Sequence, residues 1–314
     1  MKTYVARRIL WTPVLVFIVT FITFALGRYG PGDPVEVMMG QYNDPATAER
    51  LAAEYHLDDP LITQYFLYIS NAVKGDFGES YKYRNRTVFD LIKTKIPTSA
   101  KLGLAALLIS IAGGLPVGLY SAYRQGSYKD SLAIGATLLG QSVPVFLTAP
   151  LMLLVFSLKL QWLPTHGLDG FFDLSIILPS LVMGIPGIAI LARLTRASTL
   201  DILSQDFVRT AQAKGLPPVQ IAIQHVLRNS LIPVVTTLGF SLAGLISGSF
   251  IVEAYFGIPG VGLLAVESFF ARDYPVIMAL VIIGTTAFAI TNLLIDLMYP
   301  VLDPRIRLTG SSDE

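Results

Sequence analysis

No cysteine occurs in the 314 residues, which excludes disulfides, thiolate nucleophiles and cysteine-ligated metals while leaving the compartment open. Histidine is nearly absent too. His56, His166 and His225 are the three present; they form no His-Glu-x-x-His pair, and no carboxylates cluster at metal-ligand spacing. There is no Gly-x-Ser-x-Gly elbow and no Gly-x-x-x-x-Gly-Lys-Ser/Thr phosphate loop, so neither that hydrolase chemistry nor a self-contained P-loop ATPase can be assembled. Charge is equally scarce: Asp, Glu, Lys and Arg make up 14% of the chain, against about 25% in a soluble domain. A net charge of +1 and the lack of any basic run leave no electrostatic footprint for nucleic acid.

What remains is apolar: 53% of residues are hydrophobic. Six stretches without Asp, Glu, Lys or Arg are long enough for a hydrocarbon core, which requires about 20 residues. They are Ile9 to Gly27, Leu102 to Tyr123, Ser131 to Leu158, Leu174 to Ala192, Asn229 to Val252 and Tyr274 to Ile295. The chain is expected to be an all-α polytopic membrane protein with six transmembrane helices. A further window, Ala254 to Val266, is too short to span and reads as a dipping or interfacial loop. A cleaved signal peptide is the other reading of the first run, since Lys2, Arg7 and Arg8 precede it; the run is longer than the usual apolar region of about 7–15 residues and lacks a small-x-small site, which favours an uncleaved span.

Lys and Arg in the short connections set the orientation. Lys2, Arg7, Arg8, Arg124, Lys129, Arg193, Arg196, Arg209, Lys214, Arg228, Arg305 and Arg307 fall on one side, and Lys159 and Arg272 on the other. Both termini and the segment from Arg193 to Pro233 are expected to face the cytoplasm. Residues 29–101 are then an external helical segment. Asp44-Pro45 and Asp59-Pro60 each open a helical pattern with an acid at the N-cap and Pro at the first helical position, and the second pattern ends at Gly75.

The Arg193 to Pro233 segment is the longest charge-bearing stretch between two apolar runs. Its spacing predicts two short amphipathic helices hinged at Gly215, the first over Asp206, Phe207 and Ala211, the second over Ile221, His225 and Leu227. Gly-Leu-Pro-Pro separates them, Gly suiting a helix end and Pro the start of the next. The spans themselves carry many Gly and Pro residues, which permit kinks and close approach of helices. Polar uncharged side chains also occur there. Gln141 and Ser142, Ser241, Ser247 and Asn292 can line a path for a polar solute or hydrogen-bond between helices. Intramembrane carboxylates that would couple transport to an ion are lacking in the six runs, so energy is expected from a partner.

The hairpin, read as DFVRTAQAKGL followed by HVLRNSLIPV, resembles the cytoplasmic signature loop of ATP-binding-cassette importer permeases. Placing the family's Gly on Gly215 puts its Glu-Ala-Ala triplet on Arg209-Thr210-Ala211 and its Leu-Pro pair on Leu227-Arg228, so Arg stands for both Glu and Pro. Those departures are similar to the dipeptide/oligopeptide branch. Other blocks of that branch are present as well: RRIL with Pro13, GPGDP at Gly30 to Pro34, LDDPL at Leu57 to Leu61, GDFGES at Gly75 to Ser80, ARDYPV at Ala271 to Val276 and LDPRIR at Leu302 to Arg307.

The resemblance implies a type I importer permease of the first-permease type in the inner membrane of a prokaryote. An added helix would occupy residues 1–28, a five-helix core residues 102–303 with its coupling loop at 193–230, and a cytoplasmic tail residues 304–314. It implies a second homologous permease, two cytoplasmic ATPases and an external solute-binding protein as partners, together with the lipid bilayer. No cofactor would be bound by this chain, ATP and Mg belonging to the partner ATPases. Coupling to them would run through Asp206, Phe207, Arg209, Thr210, Ala211, Lys214, Gly215, Leu216, His225 and Arg228, with Phe207, Ala211 and Leu216 filling an apolar groove and Arg209 and Lys214 meeting acids. Peptides are the implied solute. Oligosaccharides, nickel chelates and glutathione are alternatives within the branch, and a self-sufficient channel or secondary carrier is the alternative outside it.

Overall fold

The computed structural model describes residues 2–29, 35, 39, 44–54, 58–83, 85–167 and 173–302. The GPGDP block, His56, most of LDPRIR and the tail from residue 304 lie outside the described residues. Among the described residues the chain is helical, and the sole β pairing is an isolated bridge between Glu79 and Thr87.

The first apolar run forms α1 (Lys2–Tyr29), and the segment that follows contributes α2 (Pro45–Glu54) and α3 (Leu61–Val73). Asp44 caps α2 as expected, its Oδ2 accepting from Thr47 N at 3.2 Å. The start of α3 differs from expectation by one residue. Pro60 itself is the N-cap, with no side-chain bond, while Asp59 offers its main-chain oxygen to Gln64 Nε2 at 2.7 Å. The helix ends at Val73 with Lys74 as its C-cap, and Gly75 just beyond turns the chain at a φ of 87°, in the left-handed region.

The second span runs longer than its uncharged stretch. α4 covers Val88–Tyr123, 36 residues, or about 54 Å at 1.5 Å per residue, and passes unbroken through the division expected between residues 101 and 102. Its start is fixed by Thr87, which accepts from Asp90 N at 3.2 Å while donating to Asp90 Oδ2 at 2.7 Å. That reciprocal cap holds the helix well beyond the membrane-length run, and Asp90, Lys93 and Lys101 are accommodated on its exposed side.

The third run does not form one straight helix. α5 (Tyr128–Ser142) and α6 (Val145–Met152), which continues as a π-helical turn over Leu153–Lys159, meet at 95°. Pro144 lacks an N–H and forces Val143 into an extended conformation (φ −85°, ψ 119°), as a residue before proline prefers. Next comes α7 (Ile177–Leu203), entered through a 3-10 turn at Leu174–Ile176 capped by Asp173. Arg193 and Arg196, expected to open a loop, are instead helical; nothing in ARLTRASTLDIL breaks a helix, so the spanning helix carries on past its apolar part.

After α8 (Asp206–Ala213), helical structure resumes at Pro218–Gln220, passes through a π-helical stretch at Ile221–Leu227 and becomes α9 (Arg228–Ser247) without a break. The second arm of the hairpin is therefore the beginning of the long helix α9 and not a separate short one. Gly248, at φ 66°, ends α9. The window expected to dip holds parts of two short helices, α10 (Phe250–Tyr255) and α11 (Val261–Phe270), before α12 (Tyr274–Leu302) closes the fold.

Among the described residues, four helices can cross a membrane by length and composition, five if the bent α5–α6 pair is one crossing. The tightest packing is between α4 and α7. A Cβ on Gly118 would lie 2.7 Å from Thr195 Cβ, and one on Gly184 2.9 Å from the Ala106 carbonyl oxygen. Only a hydrogen at these positions lets the backbones come so close, the usual basis of helix association in lipid. A second packed region joins Leu102, Ala149, Leu178 and Val182 to Val252, Phe256 and Ile258, so the loop after α9 is anchored in the bundle.

Candidate functional site

Two parts of the molecule combine polar chemistry with an enforced geometry: the hairpin between α7 and α9, and a buried carboxyl where the loop after α9 meets α4.

In the hairpin, α8 is short and its isolated stability small, so tertiary contacts must hold it. Val208 and Ala211 project inward and pack with Ile221 and Val226, flanked by Ile202, Leu203 and Leu216. Four links fix the turn. Gly215 N donates to Gln212 O at 2.9 Å and Leu216 N to Ala211 O at 3.3 Å, the crossed pair that closes a helix through a left-handed residue; Gly215 takes that conformation at φ 73°. Leu216 then falls back onto Ala211, and Ser198 Oγ of α7 donates to Ser230 O of α9 at 2.8 Å, tying the two arms at their base.

The opposite face of α8 is open. Asp206, Phe207, Arg209, Thr210 and Lys214 are exposed. Arg209 reaches Asp206 at 3.4 Å, a fully solvated pair of little energetic weight, which leaves the guanidinium available. Ala211 corrects the expectation that it fills a partner's groove, being 4% exposed and packed within its own chain, while Leu216 is half-buried against the same cluster. Val208, absent from the expected set, is the fully buried anchor of the face. His225 is half-buried in the π-helical stretch, its carbonyl accepting from Asn229 Nδ2 at 2.6 Å, and Arg228 is exposed.

Above the hairpin, α7 is clamped to the α4–α5 turn. Arg196 donates through Nε to Asp130 Oδ1 at 2.8 Å and through Nη2 to Asp130 Oδ2 at 2.7 Å; Ser121 Oγ and Gly126 N complete the shell of the carboxylate. This bidentate geometry is the strong form of an ion pair. Charge counting treated Arg196 as a marker of topology, so the pair could not be read from it; Ser127 capping α5 beside Asp130 is the sole local signal.

The buried carboxyl belongs to Glu253. It is fully enclosed and accepts from Ser99 Oγ at 2.7 Å, Ser249 N at 3.3 Å and Leu263 N at 2.7 Å. Ser99 Oγ in turn accepts from Val261 N at 2.8 Å. Gly248, Gly260 and Gly262 form its walls. The sequence reading missed Glu253 because it delimited the fifth uncharged run and was discarded as a boundary. The glycine-rich YFGIPGVG that follows it was the available clue.

A matching clamp ties the segment between α3 and α4 to the bundle. Asp273, fully buried, accepts from Ser80 Oγ, from Tyr81 N at 3.1 Å and from Lys82 N at 3.3 Å. The GDFGES and ARDYPV blocks therefore form one contact.

The side chains expected to line a path do not converge. Ser241 faces a cavity of about 290 Å³ between α4, α7 and α9, with Ser110, Met183 and Thr237. Asn292 lies in a separate pocket against Trp11 of α1. Gln141 accepts from Arg193 at 3.2 Å, and Ser142 donates to Leu138 O of its own helix. The Ser247 side chain lies outside the described residues. Among the described residues no three His, Asp or Glu side chains gather as a metal site.

Comparison with known proteins extends these observations. Residues 114–308 match the model of the family described as binding-protein-dependent transport system inner membrane component, and residues 1–103 match the N-terminal model of the same systems. The oligopeptide transport system permease protein OppB of Haemophilus influenzae is 38% identical over 307 residues, 98% of this chain and 100% of that one. The dipeptide transport system permease protein DppB of Bacillus subtilis is 38% identical over 308 residues, 98% of this chain and 99% of that one. The glutathione transport system permease protein GsiC of Escherichia coli O1:K1 is 38% identical over 307 residues, with 98% and 99% covered.

Proposed function

The chain belongs to the binding-protein-dependent transport system inner membrane component family, and from that premise we propose that it forms one membrane half of an ATP-driven importer of peptides. The relatives at 38% identity are named for oligopeptides, dipeptides and glutathione, all chains of amide-linked amino acids, and the match extends along nearly the whole chain. In this reading the protein transports without catalysing. A second, homologous permease supplies the other half, an external binding protein delivers the solute, and two cytoplasmic ATPases hold the ATP and Mg.

The single observation that carries the coupling role is the two-sided α8. Its inner face is locked by Val208 and Ala211 while Phe207, Arg209, Thr210 and Lys214 remain exposed. A short helix so fixed, laid in the cleft of an ATPase, transmits a rigid-body movement to α7 and α9 because both are joined to it without a flexible linker. Phe207 supplies the apolar anchor of such a helix-in-groove contact, and Arg209 and Lys214 the charge complement. Six crossings with both termini cytoplasmic complete the proposal: α9 counts as the sixth, and the Lys and Arg distribution supports a hairpin on the ATPase side.

The test is isolation of the tagged complex from the cell membrane, with mass spectrometry of its subunits and of the ligand on the binding protein. Two ATPase chains and bound peptides are expected. A complex without an ATPase would overturn the coupling role; a binding protein loaded with sugar or a metal chelate would overturn the solute alone.

A further inference from the structure

We infer that α3, in the external segment, is an interfacial helix whose exposed face lies in the hydrocarbon of the outer leaflet. The inference rests on the membrane orientation proposed above and adds a lipid contact to it.

The depth of α3 follows from two anchor points. The ends of α1 and α12 touch where a Cβ on Gly27 would lie 3.0 Å from the Tyr274 ring, and polar chain begins there on both helices, at Arg28 and at Asp273. That contact marks the membrane boundary. Tyr65 of α3 is 2% exposed, its hydroxyl 2.7 Å from Thr20 Oγ1, with Phe17, Phe21 and Phe24 ranged around its ring at centroid distances of 5.4, 5.2 and 5.6 Å. At about 1.5 Å per residue along a helix, Thr20 is roughly 10 Å below Gly27. Toward the other end of α3, Ala72 belongs to the same apolar cluster as Val276 and Ala279, which are roughly 3 and 8 Å below Tyr274 on the same scale. Both ends of the helix are thus attached below the boundary. Amphipathic helices in the interface sit about 5–10 Å into the headgroup and acyl region.

Composition agrees with that depth. α3 reads LITQYFLYISNAV without a charged residue; Asp58 and Asp59 precede it and Lys74 follows. Its outward face presents Ile62, Phe66, Leu67 and Val73, at 46, 57, 44 and 83% exposure, with the uncharged Thr63 and Ser70 beside them. A face of that kind toward water would lose about 25 cal/mol for each Å² of apolar surface left uncovered. α1, against which Tyr65 packs, has an exposed apolar side of its own, where Ile18, Ile22 and Leu26 are 48, 52 and 66% exposed. That side of a spanning helix already meets lipid.

Site-directed spin labelling of the assembled complex in liposomes tests the placement. Because the chain has no cysteine, Phe66→Cys can carry the one nitroxide of this subunit, with partner thiols blocked before assembly. Collision rates with oxygen, which concentrates in hydrocarbon, are compared with those of a water-soluble nickel chelate. Ile22→Cys on α1 serves as the lipid reference and Glu49→Cys on α2 as the aqueous one. The Phe66→Cys label is expected to match Ile22→Cys, with an oxygen-to-chelate ratio several-fold above that of Glu49→Cys. Collision with the chelate as frequent as at Glu49→Cys would place α3 in water, and shielding from both reagents would place it under a protein partner; either overturns the inference. Leu67→Cys repeats the measurement should Phe66→Cys fail to assemble. If Ile22→Cys itself is exposed to the chelate, the spanning role of α1 fails, which separates that failure from one of α3 alone.

Discussion

Glu253 and Ser99, 154 positions apart, meet in a 2.7 Å hydrogen bond that joins the segment after α9 to the N-terminal half of α4. The same Ser99 oxygen receives Val261 N at 2.8 Å, so one hydroxyl closes a chain of bonds from the start of α11 to the Glu253 carboxyl. Replacing Ser99 by Ala leaves a buried N–H without its acceptor, a loss of about 1–3 kcal/mol. A lowered unfolding temperature of the detergent-solubilised complex is expected for Ser99→Ala, at a fixed scan rate. Glu253→Ala removes the acceptor of Ser249 N and Leu263 N as well, and is expected to reduce the amount of protein in the membrane. An unchanged unfolding temperature in Ser99→Ala would show that the bond contributes nothing.

The contrast between what the sequence disclosed and what it withheld has a physical origin. Hydropathy located the bundle because apolar runs are additive along the chain, and Gly215 could be placed because a left-handed helix end has a local requirement. The ends of α4 and α7 were missed because a charge does not stop a helix; it only leaves the hydrocarbon, and Thr87 or an unbroken run of helix formers decides where the hydrogen bonding ends. The right angle at Pro144 had a local cause, yet periodicity does not report direction. Glu253, Asp130 and Asp273 were invisible as sites because each finds partners distant in sequence, and charge scanning treats an isolated acid as a boundary. The inward turn of Ala211 depends on Val226 and Ile221 arriving from the other arm.

The Asp130–Arg196 pair is expected to hold the end of α7 in place. Removing one member of a buried pair costs about 3–5 kcal/mol because the other is left unpaired; the cost is smaller here, since 30% of the Arg196 side chain remains exposed. Asp130→Asn and Arg196→Lys are each expected to weaken coupling, the latter because an ammonium cannot make the bidentate contact. Transport per ATP hydrolysed in proteoliposomes is the readout. Single and double replacements together should be less than additive; full additivity would show that the two residues act independently.

A pH dependence is expected where Glu267 of α11 accepts from Tyr83 Oη at 2.8 Å and meets Lys82 at 3.3 Å. Burial alone would raise the pKa of this acid, but the Tyr83 hydrogen bond and the Lys82 charge together outweigh it and hold it below the ordinary value. A carboxyl depressed on folding contributes stability above its unfolded pKa, about 4.3 for glutamate, and loses that contribution as pH falls through the folded value. The contact is therefore intact at neutral pH and loosens in acid. Amide exchange over residues 80–88, corrected for intrinsic rates, should show falling protection below that range in the native protein and low, pH-independent protection in Glu267→Gln. Equal protection of the native protein at pH 7 and in acid would remove the role assigned to Glu267.

Gly215 separates a packing explanation of the hairpin from a conformational one. A Cβ there would meet no atom within 4 Å, so a side chain causes no collision; the sole obstacle is the φ of 73°. For an ordinary L-residue that conformation costs about 1–2 kcal/mol, and Asn is among the few that visit it routinely. The global fold can absorb such a cost, because α7 and α9 are held by their own packing and by the Ser198 to Ser230 bond. The local helix end cannot, since its two crossed hydrogen bonds depend on that one residue. Gly215→Val is accordingly expected to reach the membrane in normal amount, to assemble poorly with the ATPases and to lose most uptake, whereas Gly215→Asn should keep much of it. The comparison is made by uptake of labelled peptide in cells, with ATPase recovery on the tagged complex measured alongside. Normal uptake by Gly215→Val would sink the coupling role of the turn, and equal loss in Gly215→Asn and Gly215→Val would show that size, not backbone conformation, is what the site excludes.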